Sequence, residues 1–246
     1  MSPWEHARKV AEEAAAVPWR LMEATDRFAK LVETRGEQIP LDDAAVLIAE
    51  CAQPELDRAA VLAELDGLAQ SCPGYTLDAL VPYLFGRGGF GPDRSDYYDP
   101  RNSLLNHVLE RRMGIPITLS VVALEVGRRI GVPMAGVGMP GHFLLRDKVD
   151  RSVFIDPFHG GRLLDARGCR ELFHQVTGAG TSWSEEFLEP VGNLSIVARM
   201  LSNLRAVYSR RQDLRELRWV MALRSALPPP YGDGPGEFDR AMAPLN

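Results

Sequence analysis

Residues 111–120 read Arg-Arg-Met-Gly-Ile-Pro-Ile-Thr-Leu-Ser and predict the start of the helix that organises the fold. Gly114 stops a preceding helix, and Pro116 suits the first position of a new one, where its missing N–H costs nothing. The segment that follows is apolar nearly all round as far as Gly131. Because a helix that is apolar on most faces is buried on most sides, we expect this segment to be the central helix.

Short β-type runs follow the central helix, and the last two predict an antiparallel hairpin. The runs cover residues 134–138, 142–146 and 152–156. A turn symmetric about Val149 would place His142 opposite Asp156 and Leu144 opposite Phe154. Opposed side chains share one face with Cβ atoms about 4.5–5.5 Å apart, so an imidazole–carboxylate hydrogen bond can form. A slip of one residue would put the two groups on different faces.

Thr118, His142 and Asp156 follow one another in the order of a nucleophile, a base and the group that orients the base. A nucleophile at a helix N-terminus gains from the partial positive charge there. A histidine can take its proton, an aspartate can hold the tautomer of the imidazole, and backbone N–H groups can form an oxyanion hole. Such a site usually carries cysteine at the first position, and threonine is the weaker nucleophile.

Each of these residues also has an ordinary structural interpretation. Thr118 can simply cap the helix, His142 can be a core histidine, and Asp156 before proline can mark a strand exit. Ser120 lies about 200° further round the helix and is an inferior substitute for Thr118 by geometry. His159 can line the site or belong only to the loop.

The composition excludes several classes of protein. The chain has 246 residues, 46% hydrophobic and 25% charged, with a net charge of -5. It can bury an ample core, and its acidic balance argues against a nucleic-acid surface built on bulk charge. The longest apolar stretch, 117–126, is too short to span a bilayer, and residues 1–13 lack the apolar segment of a secretory signal. We expect a cytoplasmic protein without nucleic-acid or membrane partners.

The cysteine and histidine spacing predicts neither a cofactor nor a metal site. The cysteines are Cys51, Cys72 and Cys169, too few and too scattered for a disulfide framework or a zinc site. Cys169 falls at an apparent helix start, so we expect it to be structural. The remaining candidate ligands, His6, His107 and His174, show no shared spacing.

Helical patterns flank this predicted core on both sides. Residues 5–35, 41–49 and 57–68 are typical of helix, the glycine-rich stretch 86–92 is typical of a flexible junction, and a further helix is expected from Asp99 to Met113. A helix over 196–208 followed by one from Asp213 to Leu223 is similar to a tetratricopeptide hairpin. We expect an α+β fold divided into a helical region (1–91), a core (92–188), a helix pair (189–226) and a flexible tail (227–246).

Four segments together resemble the bacterial SirB-type transglutaminase-like proteins. The segments are 102–112, 114–120, 140–146 and 155–161, and the resemblance covers roughly residues 36–226. It implies a fold akin to transglutaminases and papain-type proteases, with a central helix on an antiparallel sheet. The resemblance implies that the family's Cys-His-Asp positions fall on Thr118, His142 and Asp156. Counting back from Gly131 places the first of them within a residue or two of Thr118. Members of this branch commonly carry serine or another non-cysteine residue at the first position.

Two hypotheses follow for the function. The first is a degenerate transglutaminase-like protein that binds a peptide or protein segment in its cleft. The second is an acyl-transfer enzyme, in which Thr118 is the nucleophile or His142 directly activates a thiol or amine of the substrate. The predicted catalytic residues are Thr118, His142 and Asp156, and the predicted substrate-binding residues are Asn102, Asn106, Pro116, Gly141 and His159.

Overall fold

The computed structural model describes residues 19–87 and 89–233. The helices in these ranges are α1 (Trp19–Arg35), α2 (Leu41–Ala52), α3 (Arg58–Ser71), α4 (Leu77–Phe85), α5 (Leu105–Arg111), α6 (Pro116–Ile130), α7 (Ala166–Thr177), α8 (Asn193–Arg211) and α9 (Leu214–Ser225). The strands are β1 (Gly91–Pro92), β2 (Met113–Gly114), β3 (Met134–Val137), β4 (Leu144–Asp147), β5 (Phe154–Asp156), β6 (Arg162–Leu164) and β7 (Pro190–Val191). None of the helices described is long and apolar enough to cross a membrane.

Helix α6 occupies the centre of the molecule, as the sequence predicts. Pro116 is its first residue, and Gly131 ends it in the left-handed conformation at φ 76°, where its N–H bonds the Arg128 carbonyl. Eleven of its fifteen residues are buried. Burial on most sides follows from the apolar character of the whole helix surface.

A five-stranded antiparallel sheet in the order β6-β5-β4-β3-β7 packs on α6. Alternate residues of its strands point to opposite faces. Leu145 and Ile155 join the large core around α6, whereas Leu144 and Phe154 join a smaller apolar cluster under α7. The sheet is therefore covered on both sides, which confirms the predicted mixture of a central helix and an antiparallel sheet.

The predicted register of the β4–β5 hairpin is wrong by two residues. Phe154 pairs with Arg146 and not with Leu144, so the hairpin is symmetric about Asp150. The Asp150 carboxylate accepts hydrogen bonds from the N–H and the hydroxyl of Ser152, which fixes the turn one position later. A shift by an even number leaves every side chain on its predicted face.

The helical predictions before α6 hold except at one place. Helices α2 and α3 confirm the predictions for 41–49 and 57–68, and α1 covers the described part of 5–35; the rest lies outside the described residues. The helix expected from Asp99 is interrupted: a 3-10 turn, Pro100–Ser103, precedes α5, and Leu104 between them is extended. Of the stretch 86–92, Phe90 is buried, and Gly91 and Pro92 form strand β1.

Helices α8 and α9 extend the core beyond the sheet. Leu201 and Leu204 of α8 and Trp219 and Val220 of α9 belong to the same buried cluster as α2 and α6. The likeness of this pair to a tetratricopeptide hairpin stays a prediction. Most of the predicted tail, residues 234–246, lies outside the described residues.

Candidate functional site

Asp156 ends strand β5 and caps the short 3-10 turn that follows it. Proline at position 157 begins this turn, and the carboxylate accepts hydrogen bonds from the backbone N–H groups of Phe158 (3.2 Å) and His159 (3.3 Å). The side chain of Asp156 is 1% exposed. The Asp-Pro dipeptide therefore forms the strand exit that its sequence indicates, and it also holds a buried carboxylate in one orientation.

His142 reaches this carboxylate from the turn between β3 and β4. Gly141 adopts the left-handed conformation at φ 77°, and the N–H of His142 bonds the Met139 carbonyl. Nε2 of His142 then lies 2.9 Å from Oδ1 of Asp156. Because an ionised carboxylate only accepts, Nε2 carries the hydrogen, and Nδ1 is the remaining nitrogen. No described residue makes a hydrogen bond to that Nδ1.

A second imidazole contacts the same carboxylate. Nδ1 of His159 lies 2.6 Å from Oδ2 of Asp156, and its ring stacks on the ring of His142 with centroids 5.7 Å apart. His142 is buried, whereas the side chain of His159 is 45% exposed. Burial acts to raise the pKa of Asp156, but the hydrogen bonds and charges of the two histidines outweigh it and hold that pKa below its usual range.

These three side chains form a compact donor set. One ligand atom from each of His142, Asp156 and His159 can be chosen so that all three atoms lie within 4.8 Å of one another. Two imidazole nitrogens and one carboxylate oxygen are a common set of ligands for a transition-metal ion. The hairpin and its exit turn bring the three residues together. The sequence predicted all three at the site, but not as a set of metal ligands.

The hydroxyl of Thr118 is hydrogen-bonded to backbone groups at the start of α6 and in the segment before it. It lies 2.7 Å from the Asn102 carbonyl, to which it donates, and it accepts a hydrogen bond from the N–H of Ile115 at 3.1 Å. Thr118 is 1% exposed, and no hydrogen bond joins it to His142 among the described residues. The bond from Ile115 is the contact that an N3 side chain makes with the N-cap backbone, and the bond to Asn102 ties the helix start to the preceding segment.

The other predicted binding residues are divided between the site and the scaffold. Gly141 and His159 lie beside His142. The side chain of Asn102 is fully buried, where it donates to the Asp96 carbonyl and accepts from Arg111. The side chains that remain are Asn106, which donates to Gln53 of the α2–α3 connection, and Pro116, which is buried at the start of α6.

The buried thiols are poor candidates for a nucleophile. Burial raises the pKa of Cys169 to about 12, and the charges of Asp165 and Asp156 add to this effect. Burial likewise raises the pKa of Cys51 to about 12. Because the thiolate is the reactive form, neither side chain is reactive at neutral pH.

Two aromatic residues and an arginine also surround the site. None of the three was predicted from the sequence as a site residue. Phe158 lies between His142 (centroids 5.9 Å) and Tyr97 (6.0 Å), and Tyr97 is 46% exposed. Arg199 donates to the carbonyls of Gly138 and His142, and no carboxylate pairs with it in the described part of the chain. The available sequence signal for Arg199 was a basic residue between the apolar residues Val197 and Met200 of α8.

Comparison with known proteins identifies the family. Residues 48–202 match the model of the transglutaminase-like superfamily. The chain belongs to the transglutaminase-like superfamily. This transglutaminase-like protein is 39% identical to a UPF0162 protein of Xylella fastidiosa over 214 residues, which cover 80% of this chain and 73% of that relative. The SirB-type branch named above stays a prediction.

The chain also matches relatives of which it covers a smaller share. A UPF0162 protein of Vibrio cholerae is 30% identical over 71% of this chain and 63% of its own length. F-box only protein 21 of Mus musculus is 35% identical over 62% of this chain but only 25% of its own length. No solved structure matches the chain significantly.

Proposed function

We propose that this protein is a transglutaminase-like protein without cysteine-type chemistry, and that it binds a peptide or protein segment in the cleft beside His142 and His159. The observation that carries the proposal is the bonding of Thr118. Its hydroxyl oxygen lies 2.7 Å from the Asn102 carbonyl and 3.1 Å from the Ile115 carbonyl, so at the position where the resemblance places the nucleophile the hydroxyl is hydrogen-bonded to the backbone. The buried thiols of Cys169 and Cys51 offer no replacement.

The surface next to the two histidines suits a peptide. Tyr97 and Tyr98 are 46% and 42% exposed and lie edge to face with centroids 5.3 Å apart. The ring of Tyr97 packs edge to face against Phe158, and Phe158 packs in the same way against His142 of the stacked imidazole pair. Exposed tyrosines beside a polar group are typical of sites that recognise peptides, because a rigid ring adds contact area at low entropic cost. The similarity to F-box only protein 21 is consistent with a role in protein interactions.

Selection from a displayed peptide library, followed by measurement of the dissociation constant, tests this proposal. We expect Tyr97→Ala to raise the dissociation constant of the selected peptides by about tenfold or more, as loss of a central tyrosine commonly does. Tyr75→Ala is the matched control, since Tyr75 is 78% exposed at the far end of α4 from the site. Failure to select any peptide, or equal weakening by both substitutions, would contradict the proposal.

A second candidate is acyl transfer with His142 as the general base. The specific observation in its favour is the buried hydrogen bond between His142 and Asp156, which leaves Nδ1 of the imidazole without a described partner. An imidazole oriented in this way can take a proton from water or from a substrate amine. In this version of the hypothesis Thr118 is not the nucleophile.

Turnover of ester and amide libraries by wild type and two variants distinguishes two forms of the enzyme hypothesis. In one form His142 activates an external nucleophile, and in the other Thr118 is the nucleophile. If His142 is the base for an external nucleophile, His142→Ala loses turnover by about a hundredfold or more, and Thr118→Val retains it. Loss of turnover in a folded Thr118→Val protein would instead support Thr118 as the nucleophile. Equal turnover in wild type and His142→Ala would remove the enzyme hypothesis.

A further inference from the structure

We propose that His142, Asp156 and His159 form a binding site for one divalent first-row transition-metal ion. Asp156 lies between the two imidazoles, with one oxygen 2.9 Å from His142 Nε2 and the other 2.6 Å from His159 Nδ1. Both rings therefore direct a nitrogen at the same carboxylate. A cation placed between these atoms would replace the two N–H hydrogens that now point at the oxygens.

The three ligand atoms lie within 4.8 Å of one another, so none of their separations has to shorten by more than about 1.5 Å. Zinc binds imidazole nitrogen and carboxylate oxygen at about 2.0–2.2 Å, so tetrahedral ligands lie about 3.3 Å from one another. The nitrogen–oxygen contacts of 2.9 and 2.6 Å must therefore lengthen by about 0.4–0.7 Å. The half-exposed ring of His159 has room to move by this amount, whereas His142 and Asp156 are packed in the interior.

The cluster is already organised as a metal site would need. Oδ1 of Asp156 accepts the backbone N–H groups of positions 158 and 159 as well as His142, which fixes the carboxylate. Oδ2 has the single described partner His159, so it can accept a further ligand. The backbone of His142 is held in turn by Arg199, which donates to its carbonyl. Outer contacts of this kind orient ligands and commonly raise metal affinity.

The donor set selects a class of ion. Two imidazoles and one carboxylate favour Zn²⁺, Mn²⁺ or Fe²⁺, whereas Ca²⁺ prefers six to eight oxygen ligands. Three protein ligands leave a coordination position open, and the exposed side of His159 places that position toward solvent. This proposal departs from the prediction of no metal made from the sequence, and it does not depend on peptide binding.

Titration of the tag-free protein with Zn²⁺ alone, followed by calorimetry and by metal analysis of the desalted protein, tests the site. We expect saturation at one ion per chain and no comparable binding of Ca²⁺. His159→Asn keeps a hydrogen-bond donor for Asp156 but removes the imidazole, so it should weaken Zn²⁺ binding by about tenfold or more without loss of the fold. His159→Ala is the second variant, and circular dichroism confirms that both remain folded.

Matched controls separate this cluster from other ligands. His174→Ala and Cys72→Ser remove a histidine and a partly exposed thiol elsewhere in the chain and should leave the affinity unchanged. Substitution of Co²⁺ should give visible absorption bands of a low-coordinate ion in wild type that His159→Asn loses. Absence of saturable Zn²⁺ binding to the folded wild type, or equal affinity in His159→Asn, would overturn the proposal.

Discussion

The hydroxyl of Thr118 joins two segments of the backbone at the start of α6. It accepts from Ile115 in its own turn and donates to Asn102, which lies sixteen residues earlier. The same Asn102 carbonyl is 3.4 Å from the N–H of Ile115. The 3.4 Å contact is long, and the hydroxyl gives each of these two backbone groups a second, shorter hydrogen bond. This requirement explains a threonine at the position better than nucleophilic chemistry does.

Removal of this hydroxyl should destabilise the fold. We expect Thr118→Val to lower the free energy of unfolding by about 1–2 kcal/mol, because the buried Ile115 N–H and Asn102 carbonyl each lose a partner. Thr118→Ser keeps the oxygen and should stay within about 0.5 kcal/mol of wild type apart from the lost methyl contacts. Urea unfolding measures both values.

Thr181→Val provides the matched control for this prediction. Thr181 is exposed, and its hydroxyl donates to the carbonyl of Thr177 at the surface. Exposed substitutions of this kind usually change stability by less than about 0.5 kcal/mol. Equal midpoints for Thr118→Val and wild type would show that the cap contributes nothing to stability.

The hairpin shows what the sequence could and could not predict about an element. Alternation of apolar residues was enough to place His142 and Asp156 on one side of the sheet, since alternation depends only on odd and even positions. The exact pairing depends on the turn, where the Asp150 carboxylate competes for local N–H groups. An alternating pattern contains no information about that competition, so the turn was predicted one residue too early.

The interruption of the helix before α6 has a different cause. Asp99 does cap a turn, as predicted, and its carboxylate accepts the N–H of Arg101. The chain leaves the helical conformation at Leu104 because the Asn102 carbonyl bonds Thr118 and Ile115 of the next element instead of continuing a helical ladder. Long-range contacts of this kind override local propensity and are invisible in a local pattern.

A buried ionic cluster joins α6 to α2. Arg129 of α6 contacts Asp42 of α2 at 2.8 Å and Glu125 at 2.7 Å, and its side chain is 13% exposed. Arg128 contacts the same two carboxylates, but its side chain is 59% exposed. The two arginines therefore pair with the same two carboxylates but differ in how deeply their side chains are buried.

Loss of the deeper arginine should cost far more stability. We expect Arg129→Met to lower the free energy of unfolding by about 3 kcal/mol, because it leaves buried carboxylates poorly compensated. Arg128→Met should cost less than about 1 kcal/mol, since water screens an exposed pair. Chemical denaturation measures both values. Equal decreases in the free energy of unfolding for Arg129→Met and Arg128→Met would contradict the role given to burial.

One buried cluster joins helices from the N-terminal and the C-terminal parts of the described chain. It includes Leu65 of α3, Val122 of α6, Leu204 of α8 and Val220 of α9, together with Leu145 of the sheet. The divisions predicted near residues 91 and 188 follow changes in sequence pattern, and such changes do not reveal which apolar faces meet. A core shared in this way favours one cooperative unit.

Calorimetry tests whether the described chain unfolds as that single unit. We expect one transition whose calorimetric and van't Hoff enthalpies agree. Leu65→Ala and Leu204→Ala, which truncate fully buried side chains in α3 and α8, should each destabilise the protein by about 2–5 kcal/mol. Both should lower the same transition by about 4–20 °C, because each variant weakens the same core. If α8 and α9 unfolded separately, Leu204→Ala would move one of two transitions and leave the other in place.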